Sequence, residues 1–110
     1  MENELNISDK APEFTLQDHN KNEIGLTDFN GKWIILYFYP EDNTSGCTLE
    51  ANEFSRNIDN FNELDVVILG VSPDTIESHC DFINNNDLKI TLLSDPEHKV
   101  IEGYGAFSNN

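Results

Sequence analysis

Two runs in this chain are apolar without polar alternation, Trp33–Tyr39 and Val66–Val71. Strands that are apolar at every position are covered on both faces, which points to a sheet with helices above and below. Between them, Cys47, Ala51, Phe54, Ile58 and Phe61 recur at spacings of three and four, predicting one helix from about Gly46 to Phe61 with a single apolar stripe. After the second run, Ser72-Pro73-Asp74 is expected to start a helix reaching about Asn85, with Ile76, Cys80 and Ile83 on its inner side. Thr91-Leu92-Leu93 reads as a third strand, and Asp95-Pro96-Glu97 as a helix start with Asp95 as cap and Pro96 as first residue. Upstream, Phe14-Thr15-Leu16 and Ile24-Gly25-Leu26 flank the turn-like Asp18–Asn22, predicting a hairpin, and Thr27–Lys32 a short helical turn and loop. Strand and helix alternate from Trp33 onward, which implies an α/β fold built on a parallel sheet.

Composition narrows the class. A length of 110 residues suits one domain, 1–110, and 37% hydrophobic with 25% charged residues describes an ordinary globular protein. The net charge of −15 argues against nucleic acid and against an anionic membrane surface as partners. Met1–Lys10 is acidic and polar, unlike a signal peptide, so a cytoplasmic location is expected. Two cysteines make neither a disulfide framework nor a zinc motif. His19, His79 and His98 fall in a turn and two different helices without ligand spacing, so no metal and no cofactor is expected.

The chemistry concentrates where Trp33–Tyr39 runs into Pro40-Glu41-Asp42-Asn43-Thr44-Ser45-Gly46-Cys47: strand, turn-rich loop, then a cysteine in the first turn of a helix. Unpaired backbone N–H groups and the positive end of the peptide dipole stand there, and both favour a thiolate, the reactive form, over a thiol. A redox or nucleophilic cysteine would be built in this place. A free cysteine also often serves as a small buried apolar side chain. Thr44 alone reads equally as a loop or capping residue, and Pro40 as a strand terminator.

Gly31-Lys32, Leu36-Tyr37-Phe38-Tyr39-Pro40, Thr44-Ser45-Gly46-Cys47-Thr48-Leu49-Glu50-Ala51, Leu69-Gly70-Val71-Ser72-Pro73-Asp74, Glu77-Ser78-His79, Leu92-Leu93-Ser94-Asp95-Pro96 and Tyr104-Gly105 together resemble the peroxiredoxins, most closely the bacterioferritin-comigratory, or Q-type, subfamily. The likeness runs from Ala11 to Phe107. It implies a thioredoxin-like α/β fold, an N-terminal β-hairpin plus a mixed central sheet flanked by helices. It also implies a thiol-dependent peroxidase acting on hydrogen peroxide and organic hydroperoxides. By that resemblance Cys47 is the peroxidatic nucleophile, oxidised to a sulfenic acid, and Thr44 hydrogen-bonds sulfur and peroxide. Pro40 shields the sulfur and fixes the loop, and Glu50 belongs to the supporting polar network. The implied partners are peroxide and, as reductant, thioredoxin or a small thiol such as glutathione.

The chain departs from the family pattern in two ways. The usual resolving cysteine position holds Asn52, which leaves Cys80 either as a resolving thiol or as a residue packing with Ile76 and Ile83. A Cys47–Cys80 bridge would need α-carbons within ~7 Å and local unwinding of the first helix. The family's active-site arginine comes from a strand beyond the last helix predicted here, and the chain's one arginine, Arg56, lies ~13 Å along the helix from Cys47. The chain is thus expected to be cut short of the family's last strands and helix. Trp33–Tyr39 should then be an edge that invites self-association. The alternative function is a catalytically impaired thioredoxin-fold fragment, a partner-binding module or slow redox sensor. A thioredoxin-type disulfide reductase is disfavoured, since no second cysteine stands three residues from Cys47.

Overall fold

The computed structural model describes residues 9–106; the reading of Met1–Ser8 and the end of the resemblance at Phe107 lie outside the described residues. Five strands form one mixed sheet in the order β2-β1-β5-β4-β3. They are β1 (Thr15–Asp18), β2 (Glu23–Gly25), β3 (Trp33–Phe38), β4 (Val66–Ser72) and β5 (Thr91–Ser94). β3, β4 and β5 run parallel, with Ile35 opposite Ile68 and Val71 opposite Leu93. The predicted hairpin forms and joins the sheet, because β1 also pairs antiparallel with β5 through Gln17 and Ser94. A single 3-10 turn, Leu26–Phe29, leads from β2 toward β3. Among the described residues β3 is a sheet edge, as expected, with Trp33 77% exposed at its start.

The unbroken apolar runs are explained by two cores, one on each face. Ile35, Tyr37 and Tyr39 of the β3 stretch join Ile68 and Leu92 in a cluster with Ala51, Phe54 and Phe82. The alternate residues Ile34, Leu36 and Phe38 join Leu69, Val71 and Leu93 with Ile101, Phe14 and Phe29 on the other face. Helices α1 (Ser45–Arg56), α2 (Ile58–Glu63) and α3 (Ile76–Asn86) supply the first face, and α4 (Lys99–Gly103) supplies the second. Alternate positions of one strand therefore both face apolar layers, which is why no polar alternation appears.

Helix boundaries depart from the sequence reading in three places. The helix predicted over about Gly46–Phe61 is broken at Asn57, whose side-chain Nδ2 donates to the Glu53 carbonyl at 2.9 Å. That side chain takes the acceptor a continuing helix would offer to the Asn57 backbone N–H, which instead reaches Phe54 O at 3.3 Å. α3 begins at Ile76, two residues past the predicted opening stretch Ser72-Pro73-Asp74: Thr75 is its cap, its Oγ1 accepting from Ser78 N at 3.1 Å, while Asp74 turns inward. α4 begins at Lys99 with His98 as cap in the left-handed region (φ 62), so neither Asp95 nor Pro96 has the predicted place, and His98 precedes the helix. Asp95 still serves that helix, since its buried Oδ2 accepts from Ile101 N at 2.8 Å across the intervening turn.

A candidate thiol site at the start of helix α1

Cys47 is the third residue of α1, three positions after the cap residue Thr44. The first intrahelical bond is Thr48 N to Thr44 O at 2.8 Å, so the N–H groups of Ser45, Gly46 and Cys47 precede the helical ladder. The thiol is half-buried and packs against the cluster that contains Ala51 and Tyr39. It begins the buried stripe, as the spacing predicts. Ala51, one turn on, is fully buried, and the neighbouring stripe position Phe54 lies against Tyr37 with ring centroids 4.9 Å apart.

Tyr37 is the floor of this region. Its ring end fits only because residue 70 is glycine: a β-carbon there would lie 2.9 Å from Tyr37 Cζ and Oη. The Tyr37 hydroxyl is buried and has no hydrogen-bond partner among the described residues. Burial, then the negative charge of Glu50, Cys47 and Asp42, pushes its pKa well above the usual tyrosine range. It therefore stays protonated, a donor held next to the thiol region.

The other predicted site residues are placed as follows. Thr44 is half-buried, and its Oγ1 donates to the Glu41 carbonyl at 3.3 Å, within the loop. Pro40 is exposed, immediately after β3. Glu50 is exposed one turn after Cys47 and lines a groove with Gly46, Leu49 and Phe54. Arg56 pairs with Glu53 at 3.0 Å at the far end of α1, away from the thiol. Cys80 is a half-buried free thiol of α3. The inner positions of that helix are His79 and Phe82 rather than Cys80, whose S–H donates to the His19 carbonyl in the β1–β2 turn at 3.1 Å. Cys80 thus has a polar contact with the hairpin that neither of its two readings included.

What sequence reasoning missed lies beneath the loop. Asp42 is buried and accepts from Tyr39 Oη at 2.6 Å and Ser78 Oγ at 2.7 Å, with His79 Nδ1 at 2.8 Å. Its backbone N–H donates to Asp74 Oδ2 at 2.7 Å, and that oxygen also accepts from Ser72 Oγ. The far ring nitrogen of His79 lies 2.9 Å from the Leu93 carbonyl. Burial alone would raise the Asp42 pKa, but the hydrogen bonds from His79, Tyr39 and Ser78 outweigh it and hold the carboxyl below the ordinary range. Burial and the Asp42 carboxylate push the Tyr39 hydroxyl far upward, so it remains a donor.

Asp42, Asp74 and His79 place ligand-type atoms within 4.8 Å of one another, a grouping that could hold an ion. These atoms already hold partners within the protein, His79 Nδ1 lying directly on Asp42 Oδ2 and Asp74 Oδ2 accepting hydrogen bonds from Asp42 N and Ser72 Oγ. An ion would have to displace those bonds, so the arrangement is a protein hydrogen-bond network. No helix among the described residues is long and apolar enough to cross a membrane.

Residues 7–110 match the model of the AhpC/TSA family. The chain is 45% identical over 100 residues to peroxiredoxin Bcp of Bacillus subtilis, covering 91% of this chain and 64% of that protein. Among solved structures, PrxQ of Xylella fastidiosa, a cysteine-to-serine mutant, superposes with a TM-score of 0.86 at 29% identity, over 96% of this chain and 65% of the other. The bacterioferritin comigratory protein of Xanthomonas campestris, studied for its alkyl peroxide reduction activity in trapped intermediate and ligand complexes, superposes at 0.79 with 30% identity, over 82% and 57%. The expected thioredoxin-like α/β arrangement is shared with these structures, and the chain spans a little under two thirds of the length of the Bacillus relative.

Proposed function

This chain belongs to the AhpC/TSA family, and on that premise we propose that it is a thiol-dependent peroxidase in which Cys47 reduces hydrogen peroxide and organic hydroperoxides. The observation that carries the reading is the position of Cys47: third in α1, half-buried, at the end of a fixed loop and in front of N–H groups outside the helical ladder. The Cys47 thiolate attacks one peroxide oxygen; the O–O bond breaks as the S–O bond forms. The departing hydroxide or alkoxide takes up a proton and leaves as water or alcohol, and Cys47 becomes a sulfenic acid. The N–H groups of Gly46 and Cys47 and the hydroxyl of Thr44 are the donors that meet the developing negative charge. Thr44 would exchange its bond to the Glu41 carbonyl for one to peroxide. Pro40 borders the mouth of the site, and Glu50 and Tyr37 complete its polar surroundings.

A thiol returns the enzyme to its starting state: it attacks the sulfenic sulfur, water leaves, and a disulfide forms that a second thiol opens. The reductant is thioredoxin or a small thiol in the cytoplasm. The contact of Cys80 with His19 favours direct attack by that external thiol over resolution by Cys80. The edge of β3, unpaired among the described residues and with Trp33 exposed, favours self-association through that strand, and a stable monomer by light scattering would oppose it.

The reading is tested by mixing reduced protein with one equivalent of hydrogen peroxide or cumene hydroperoxide in stopped flow. Consumption at least ~10²-fold faster than by free cysteine is expected, the scale of acceleration that a single preorganised anion site supplies. A rate equal to that of free cysteine would remove the peroxidase reading and leave the slow redox sensor.

A further inference from the structure

The stretch that delivers Cys47, the loop from Pro40 and the first two residues of α1, is exposed at Pro40, Glu41, Asn43, Ser45 and Gly46, and half-buried at Thr44. Asp42 is its one fully buried member, 6% exposed. We propose that His79 and Asp42 are positioning residues for Cys47: a hydrogen-bonded imidazole–carboxyl pair sealed beneath the loop fixes Asp42 and, through it, the turn that aims Thr44 and Cys47. The inference rests on the peroxidase reading above.

The tautomer follows from one partner. A backbone carbonyl can only accept, so His79 Nε2, 2.9 Å from Leu93 O, carries a proton. Its Nδ1 lies 2.8 Å from Asp42 Oδ2, with one proton between them. Both side chains of the pair are essentially without solvent contact, 0% and 1% exposed. Such a pair brings little net stability over a well-packed apolar substitute. Its value lies in geometry.

That geometry is fixed from three sides. β5 holds the imidazole through Leu93 O, α3 adds Ser78 Oγ, and the end of β3 adds Tyr39 Oη. Asp74 closes the cage by accepting the Asp42 backbone N–H, while its own carbonyl accepts from Ser94 Oγ at 2.6 Å. Between this anchor and the helix stands Asn43 in the left-handed region (φ 66), followed by the cap residue Thr44. A rotation at Asp42 therefore has few residues in which to dissipate before it reaches the thiol. Peroxide attack needs sulfur, both peroxide oxygens and the donors in line, whereas alkylation of a thiolate needs only an accessible sulfur.

The test compares the full-length wild type with Asp42→Asn and with His79→Gln. Each protein is reacted in the reduced state with hydrogen peroxide and, separately, with iodoacetamide, reading Cys47 by mass spectrometry. Both variants are expected to lose ~10- to 100-fold in peroxide rate while alkylation stays within about twofold of wild type. Peroxide rates equal to wild type, or peroxide and alkylation rates falling together, would overturn the proposal. In parallel, ¹⁵N spectra of histidine-labelled wild type should show Nε2 of His79 carrying a proton, and a bare Nε2 would overturn the anchor to Leu93 O. The ring spectrum does not depend on catalysis. A wild type that reacts with peroxide no faster than free cysteine refutes the peroxidase reading and, with it, the role of this pair in catalysis, whereas a fast wild type matched by both variants refutes the role of the pair alone.

Discussion

The two thiols of this chain are both half-buried, both on helices of the same sheet face, and differ in nearly everything that governs reactivity. Cys47 stands in the first turn of α1, ahead of the helical ladder and behind a loop pinned at Asp42. Cys80 stands mid-helix in α3, its backbone within the ladder, its S–H given to the carbonyl of His19. A carbonyl partner stabilises the protonated thiol, whereas free N–H groups stabilise the thiolate. Exposure does not separate these cysteines; the polarity of what faces the sulfur does.

The largest effect that could break this contrast is the loss of either sulfur. Cys47→Ser should lower hydroperoxide turnover by at least ~10³-fold, as removal of an enzyme's nucleophile does, while Cys80→Ser leaves the first turnover unchanged. Steady-state and single-turnover assays on the two variants check this, and a Cys80→Ser protein that oxidises once but does not recycle would identify Cys80 as the resolving thiol. Next in size, Thr44→Val removes one donor from the Cys47 side and should slow peroxide reduction by ~10²-fold with little change in thermal midpoint.

Stability changes are smaller. Ala51 is fully buried beneath Cys47, so Ala51→Leu should cost about 1–3 kcal/mol by overpacking in urea unfolding. Cys80→Ala removes only a weak hydrogen bond at a half-buried position, and about 1 kcal/mol or less is expected. The smallest effect is the loss of the Asp42 contribution in acid. Because the Asp42 pKa is lowered in the folded state, its contribution is present above the ordinary carboxyl value of 3.8 and is lost as pH falls through the lower folded value. Thermal midpoints of wild type and Asp42→Asn should therefore converge as pH drops below 3.8, and a difference that grows there would contradict the assignment.

Much of the scaffold was legible in local pattern. The two unbroken apolar runs announced strands between two layers, and the three-four spacing from Cys47 through Phe61 announced the buried stripe. The break at Asn57 was not legible, because an apolar stripe continues across it while one amide side chain redirects the backbone. The misplaced helix starts share a cause. Asp74, in the stretch expected to open a helix, is claimed by Asp42 N and Ser72 Oγ, and Asp95, read as a cap, accepts from Ile101 N a turn away.

The site divides in the same manner. Pro40, Thr44, Cys47 and Glu50 lie within a few residues of one another, so spacing and family likeness could single them out. His79 lies 37 positions from Asp42, and only the fold brings the two rows of polar atoms together. The sequence marker was present, an aspartate in the loop and a Ser78-His79 pair in the likeness, but nothing local says that they touch. The contact of Cys80 was not legible for the same reason, since its partner is a carbonyl 61 positions away.

The account is tested most directly by locating the first oxidation. Reduced protein is mixed with one equivalent of hydroperoxide in the presence of a sulfenic-acid trap and mapped by mass spectrometry. The trap should be found on Cys47 and not on Cys80; a label on Cys80 alone, or on neither, would contradict it.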